Sequence, residues 1–249
     1  MSDLPKGTVS AFSATSVGAG SAGDESVVTR FWWVRHAPVD HDGRIYGRKD
    51  MPCDCTDVSV FAGLARQLPR NAVWVTSSLK RTHETASAIV AAGLPGPAQI
   101  PGPQTTTLAD LDEQSFGDWQ GMKYEELRHL RGGAFHRFWH APATERAPNG
   151  ESFVDLMERV GRAIHSLIEP HRGRDIIAVA HGGTIRSALG LALGLKPEAC
   201  LAFTMENCSL TRLDFIEGPG MGHGWRVITV NRPPRQSGDA AHAGSAGSA

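Results

Sequence analysis

Three stretches of the chain stay apolar for several residues and then run into a basic side chain. Residues 27–34 are rich in β-branched and aromatic residues, with Phe31-Trp32-Trp33-Val34 leading directly to Arg35-His36. Such a run with almost no polar interruption predicts a strand covered on both faces of a sheet. Residues 176–180 repeat the pattern and end at His181, followed by Gly182-Gly183-Thr184. Ile185, Ala188, Leu189, Ala192 and Leu193 then recur at helical spacing, so the glycine pair opens a helix. Between these copies, residues 72–77 form a third strand pattern that leads to Arg81 at the mouth of another helix.

The remaining periodicity completes a layered picture. Val58, Phe61, Leu64, Ala65 and Leu68 predict a short amphipathic helix stopped by Pro69. Leu127, Leu130, Phe135 and Phe138 predict a helical cap over residues 124–139, interrupted at Gly132-Gly133. Phe153, Leu156, Met157, Val160, Ile164, Leu167 and Ile168 make the clearest helical stripe, a core-packing face. Residues 209–215 and 225–230 are two strand patterns joined by a Gly-rich turn, hence an antiparallel edge. Strands alternating with helices predict an α/β fold: a three-layer α/β/α sandwich with a mostly parallel central sheet and an antiparallel edge strand.

In an open parallel sheet, ligands bind beyond the carboxyl ends of the strands. Arg35, His36, Arg81 and His181 all stand at such ends, and Gly182 begins a helix whose bare N–H groups favour an anion. Any one Arg-His pair ending a strand is ordinarily just solvated; the repetition is what singles these out. Two guanidinium and two imidazole groups suit a ligand with two negative charges and three equivalent oxygens, most simply a phosphoryl group.

Five ordered pieces carry a family resemblance. They are Arg35-His36-Ala37; Ser78-Leu79-Lys80-Arg81-Thr82 with Thr85-Ala86; Leu111-Asp112-Glu113 with residues 116–121; Pro148-Asn149-Gly150-Glu151-Ser152; and Ala180-His181-Gly182-Gly183. Together they resemble the histidine phosphatase superfamily, which includes the cofactor-dependent phosphoglycerate mutases, and they imply a phosphoglycerate-mutase-like fold over residues 27–230. Phe138-Trp139 with Pro142, the Pro148–Ser152 piece and Tyr46-Gly47-Arg48 are similar to the α-ribazole-phosphatase-like branch. The chain departs from the family pattern at Ala37, where Gly is usual, at Ser77 or Ser78 (Pro), at Gln120 (Glu) and at Asn149 (Gly). Alanine at position 37 is expected to narrow the pocket or alter the turn while keeping its N–H.

Composition narrows the function classes. A net charge of −1 from 25 Lys+Arg and 26 Asp+Glu provides no broad basic field for nucleic acid or for an anionic membrane. No run reaches the ~20 apolar residues of a membrane span, and the first residues lack the basic-then-apolar order of a secretory signal. Residues 1–26 and 231–249 are Ser/Gly/Ala-rich without periodicity and read as disordered tails around one domain at 27–230. Four unevenly placed cysteines make no disulfide framework and suggest a reducing, cytoplasmic setting. Cys53 and Cys55 read as two loop thiols and His136 and His140 as ordinary, partly exposed histidines, so no metal and no cofactor is expected. The oligomeric state is left open, a homodimer being one option.

A metal-free phosphomonoesterase needs a nucleophile, cations on the non-bridging oxygens and an acid for the leaving alkoxide. His36 is the candidate nucleophile, with Arg35, Arg81 and His181 holding phosphoryl oxygens beside Gly182. Asp110, Asp112, Glu113 and Asp118 crowd one loop, and only the resemblance selects Glu113 as proton donor, which requires it to carry a proton. Arg44, Tyr46, Arg48 and Lys49 lie in a loop (residues 38–56) open to either substrate contact or solvent. Glu113 and His181 are 68 residues apart, 181 − 113, short beside the mutase branch's insert. Hydrolysis of a small phosphorylated metabolite through a phosphohistidine is therefore expected. A phosphoglycerate mutase, or an inactive phosphate-binding module, is the alternative.

Overall fold

The computed structural model describes residues 26–99, 105–222 and 224–234. Along the chain run β1 (Val27–Arg35), α1 (Val58–Gln67), β2 (Ala72–Thr76), α2 (Lys80–Ala91), β3 (Thr106–Thr107) and α3 (Tyr124–Arg131). They are followed by α4 (Phe153–Ile168), β4 (Asp175–Ala180), α5 (Gly182–Leu193), α6 (Pro197–Cys200), β5 (Leu210–Glu217) and β6 (Trp225–Arg232). The six strands make one sheet in the order β3-β2-β4-β1-β5-β6. The first four of these are mutually parallel, and β5 runs against both β1 and β6.

The apolar runs do what their composition demands: every residue of β2 is buried, and so is β4 after Asp175. Alternate side chains divide between two cores. Phe31, Trp33, Ile176 and Ala178 meet Leu156, Val160 and Ile164 of α4 and Ile185 and Leu189 of α5. Val34, Trp74, Ile177 and Val179 meet Phe61 and Leu64 of α1 and Ile89 of α2. Burying each such side chain contributes about 1.5–3 kcal/mol. The result is the expected three-layer sandwich, with the β5–β6 hairpin as its antiparallel edge.

Strand register sets the positions of the basic side chains. In the β1–β4 ladder Arg35 lies opposite Ala180, and the His36 N–H donates to the Ala180 carbonyl at 2.9 Å. His36 and His181 therefore leave the sheet side by side. Thr76 lies opposite Val179, so the chain after β2 emerges at nearly the same level.

Two expectations change. The helical cap predicted over 124–139 ends at Arg131, because Gly132 adopts φ +50°, a left-handed conformation that cannot continue a helix. Residues 135–152 carry no helix or strand. The two-residue β3 and the four-residue α6 had no periodic signal to reveal them. The tails expected to be disordered lie outside the described residues except for Ser26 and residues 231–234, of which Asn231 and Arg232 prolong β6.

Candidate active site

The structure brings Arg35, His36, Arg81 and His181 together at the carboxyl end of the sheet. The two imidazole rings lie 5.1 Å apart between centroids. His36 Nδ1 is 2.7 Å from the Ala37 carbonyl oxygen, which only accepts, so that nitrogen carries the proton. Nε2 then bears the lone pair, and it has no hydrogen-bond partner among the described residues. Burial above all, then the Arg81 and Arg35 cations, holds the His36 pKa well below its usual value, against a smaller opposite pull from the Ala37 hydrogen bond. The ring is a neutral base at neutral pH.

His181 is held differently. Its Nδ1 accepts from Arg81 Nε at 3.3 Å, so its single N–H sits on Nε2 and donates to Ser77 Oγ at 2.7 Å. Burial, then Arg81 and His36, keeps its pKa well below the ordinary value. Ser77 Oγ in turn accepts the Leu79 N–H at 3.2 Å and lies 3.1 Å from Thr82 Oγ1. Ser77 and Arg81 together thus fix the tautomer of the second histidine. Arg81 is fully buried, donates to the Lys49 and Gly47 carbonyls at 2.8 and 2.6 Å, and stacks over Tyr46 at 5.1 Å. Three of its five N–H groups are engaged, which leaves two for a ligand. Arg35 donates through Nη1 to the Met205 carbonyl, while its buried Nε has no partner.

Geometry separates the four loop carboxylates. Asp112 accepts the N–H and hydroxyl of Ser78, both at 2.8 Å, and ties its loop to the turn after β2. Asp110 and Asp118 face outward, toward Arg162 and Asn149. Glu113 alone of the four lines the cavity, its oxygens accepting the Gln114 N–H at 2.9 Å and the Gly183 N–H at 3.2 Å. A Cβ on Gly183 would stand 2.3 Å from Glu113 Oε1, so this close approach of helix to acid requires glycine.

Behind Glu113 lies a clamp that sequence reasoning missed. Arg159, on α4 and nearly buried, donates to the carbonyls of Asp110, Asp112 and Glu113 at 2.7–2.9 Å and to both oxygens of Glu151. Glu151 also accepts the Ser115 N–H at 3.0 Å and Arg48 Nη2 at 3.2 Å. The signal available in advance was one arginine next to the apolar stripe of α4.

In front of the cradle opens a cavity of about 320 Å³, lined by Arg35, Glu113 and Gly182 together with Arg44, Tyr46, Tyr124, Trp139, His140 and Arg186. Of the 38–56 loop, Arg44 and Tyr46 face the cavity and Arg48 turns to Glu151. His140, read as an ordinary histidine, is enclosed by Phe116, Tyr124 and Trp139 with centroids 4.3–5.6 Å away. Burial pulls its pKa down to about 4. His136 instead meets Glu198 at 3.0 Å. Ala37 neither narrows nor lines the cavity: its methyl packs in the α1–α2 core and its N–H donates to Thr85 Oγ1 at 2.8 Å. Cys53 and Cys55 have sulfurs 3.6 Å apart, and burial pushes the Cys53 thiol up to about 12. Among the described residues, no cluster of three or more His, Cys, Asp or Glu is placed to hold a metal ion, and no helix is long and apolar enough to cross a membrane.

Residues 31–230 match the Histidine phosphatase superfamily (branch 1). The chain belongs to that superfamily. The chain is 30% identical over 213 residues to the probable phosphoglycerate mutase GpmB of Yersinia enterocolitica, covering 84% of this chain and 92% of that protein. Among solved structures it is similar to mycobacterial hydrolase 2, with a TM-score of 0.70, 26% identity, and 86% and 95% of the two chains covered. It is also similar to a mycobacterial glucosyl-3-phosphoglycerate phosphatase, with a TM-score of 0.67, 25% identity, and 84% and 100% covered. A putative α-ribazole-5′-P phosphatase of Escherichia coli, at 22% identity and a TM-score of 0.63 over 84% of this chain and 99% of its own, shares the fold.

Proposed function

We propose that this histidine phosphatase is a phosphomonoesterase that hydrolyses a small phosphorylated metabolite through a phosphohistidine at His36. The observation that carries this reading is the His36 ring itself, with Nδ1–H anchored on the Ala37 carbonyl and Nε2 unpartnered between two arginines. The lone pair of Nε2 attacks phosphorus as the ester P–O bond breaks. Arg35 and the two remaining N–H groups of Arg81 neutralise the equatorial oxygens, assisted by the first turn of α5 at Gly182. His181 leaves the neighbouring strand at the same register, but its N–H belongs to Ser77, so it acts first by orienting Arg81. Glu113 delivers a proton to the leaving alkoxide and then takes one from the water that attacks the P–N bond, which releases phosphate and restores neutral His36.

Similarity to probable phosphoglycerate mutases favours a second reading, a phosphoglycerate mutase. The short stretch between Glu113 and His181 and the phosphatases among structural relatives support hydrolysis. The test is a screen of phosphorylated metabolites for phosphate release, with His36→Ala as blank and phosphoglycerate isomerisation followed in parallel. Release by the wild type alone supports the phosphatase. Isomerisation without release contradicts it, and neither reaction from any ester leaves an inactive binding module.

A further inference from the structure

Beyond the reacting centre, two cations in the cavity have no role in the chemistry above: Arg44, which is engaged with the Gly121 carbonyl and Asp42, and Arg186. Arg186 sits one turn into α5 after Gly182, with Nη1 3.1 Å from where a Gly182 Cβ would stand and Arg35 Nε 3.7 Å from the same point. Two contacts hold it: Nε donates to the Phe203 carbonyl at 2.7 Å, and the guanidinium lies 4.7 Å from the Trp139 ring centroid. Trp139 is itself fixed by its indole N–H on Gln114 Oε1 at 2.8 Å. The two terminal nitrogens have no hydrogen-bond partner, and Arg186 makes no ion pair, among the described residues. Beside it the buried Nδ1 of His140 is also unpartnered.

We propose that Arg186 binds a carboxylate on the alcohol part of the substrate, so that the enzyme prefers phosphomonoesters of hydroxy acids. The proposal rests on the phosphatase reading and adds the substrate class. The position of the side chain is the first reason. Arg81 and Arg35 are the cations that act on His36, whereas Arg186 feels Glu113 and Arg35. Its Nη1 lies against Gly182, and the next residue, Gly183, donates its N–H to Glu113 at 3.2 Å, so Arg186 stands near the acid assigned to the leaving oxygen. Burial pulls its pKa down to about 10, so it remains a cation at neutral pH. A planar fork held by its Nε and one face, with both ends directed to a cavity, matches the two oxygens of a carboxylate. A neutral alcohol would leave that partly buried charge without a counter-charge.

The test compares phosphate release from 3-phosphoglycerate and from its methyl ester by the full-length wild type, Arg186→Met and Arg186→Lys. A charge-assisted bidentate contact is expected to give the acid at least about a tenfold advantage in kcat/KM, mainly through KM. Arg186→Met brings the acid-to-ester ratio close to one, and Arg186→Lys, which keeps charge but loses the fork, falls between. Because the ratio is internal to each protein, a variant that merely folds poorly loses both activities and keeps the ratio. A wild type that hydrolyses both esters equally, or an Arg186→Met ratio as large as the wild type's, overturns the proposal while the phosphatase reading stands. No release from either ester or from nitrophenyl phosphate overturns that reading, and the carboxylate site with it.

Discussion

His36 and His181 end adjacent parallel strands at the same register, both buried and both kept neutral, yet their hydrogen bonds differ. One ring gives its proton to its neighbour's carbonyl and keeps a lone pair unengaged. The other has a partner on each nitrogen, Arg81 on one side and Ser77 on the other. Repeating a strand-then-histidine pattern places two bases together, and the groups bonded to each ring decide which is a nucleophile and which an orienting group.

The largest expected effect comes from deleting each ring in turn. His36→Ala should lower kcat by about 10⁴-fold or more, because the covalent route is lost. His181→Ala should cost about 10²–10³-fold, the scale of losing one electrostatic contributor; equal losses in steady-state phosphate release would erase the distinction. Glu113→Gln should slow alkyl phosphates by about 10²–10⁴-fold and nitrophenyl phosphate much less, since only the alkoxide needs a proton. A uniform loss across leaving groups would remove Glu113 from that role.

Acid should unsettle both histidines together. Their folded pKa values lie below the unfolded one near 6.5, so as pH falls below that value the unfolded chain binds protons that the folded chain refuses. Stability is fully present above about pH 6.5, and each such histidine removes roughly 1.4 kcal/mol per pH unit below it until its folded pKa is reached. His140, with its pKa near 4, adds to the same slope. Urea melts from pH 7 to pH 5 check this, and a pH-independent midpoint would contradict it. The smallest effect is assigned to Ser77→Ala. It frees the His181 N–H and should cost about 1 kcal/mol in a thermal melt, with a several-fold drop in kcat.

Much of this was legible because the relevant residues sit in or next to regular elements. The apolar runs of β1, β2 and β4 announced themselves, and the stripe from Phe153 to Ile168 became α4. The cap formed only as far as the expected break: Leu127 and Leu130 lie on α3, but the backbone turns left-handed at Gly132, no α-helix follows over Phe135 and Phe138, and Phe138 is left 62% exposed. The enclosure of His140 was not legible because, beside its chain neighbour Trp139, Phe116 and Tyr124 reach it from earlier segments, a meeting no local pattern encodes. Arg186, the one cation of α5, and Arg159, which shares α4 with Arg162, gave no periodic signal of their roles. A charge in such a place has to find partners through the fold or through a ligand.

Phosphorus transfer to one nitrogen is the central claim, and trapping that bond tests it most directly. The protein is mixed with nitrophenyl phosphate, quenched in alkali, where phosphohistidine survives, digested and read by tandem mass spectrometry. The expected result is a single added phosphoryl group on His36, still formed in His181→Ala and Glu113→Gln and missing in His36→Ala. A phosphoryl group on His181 or elsewhere, or steady turnover with no labelled histidine, would contradict it.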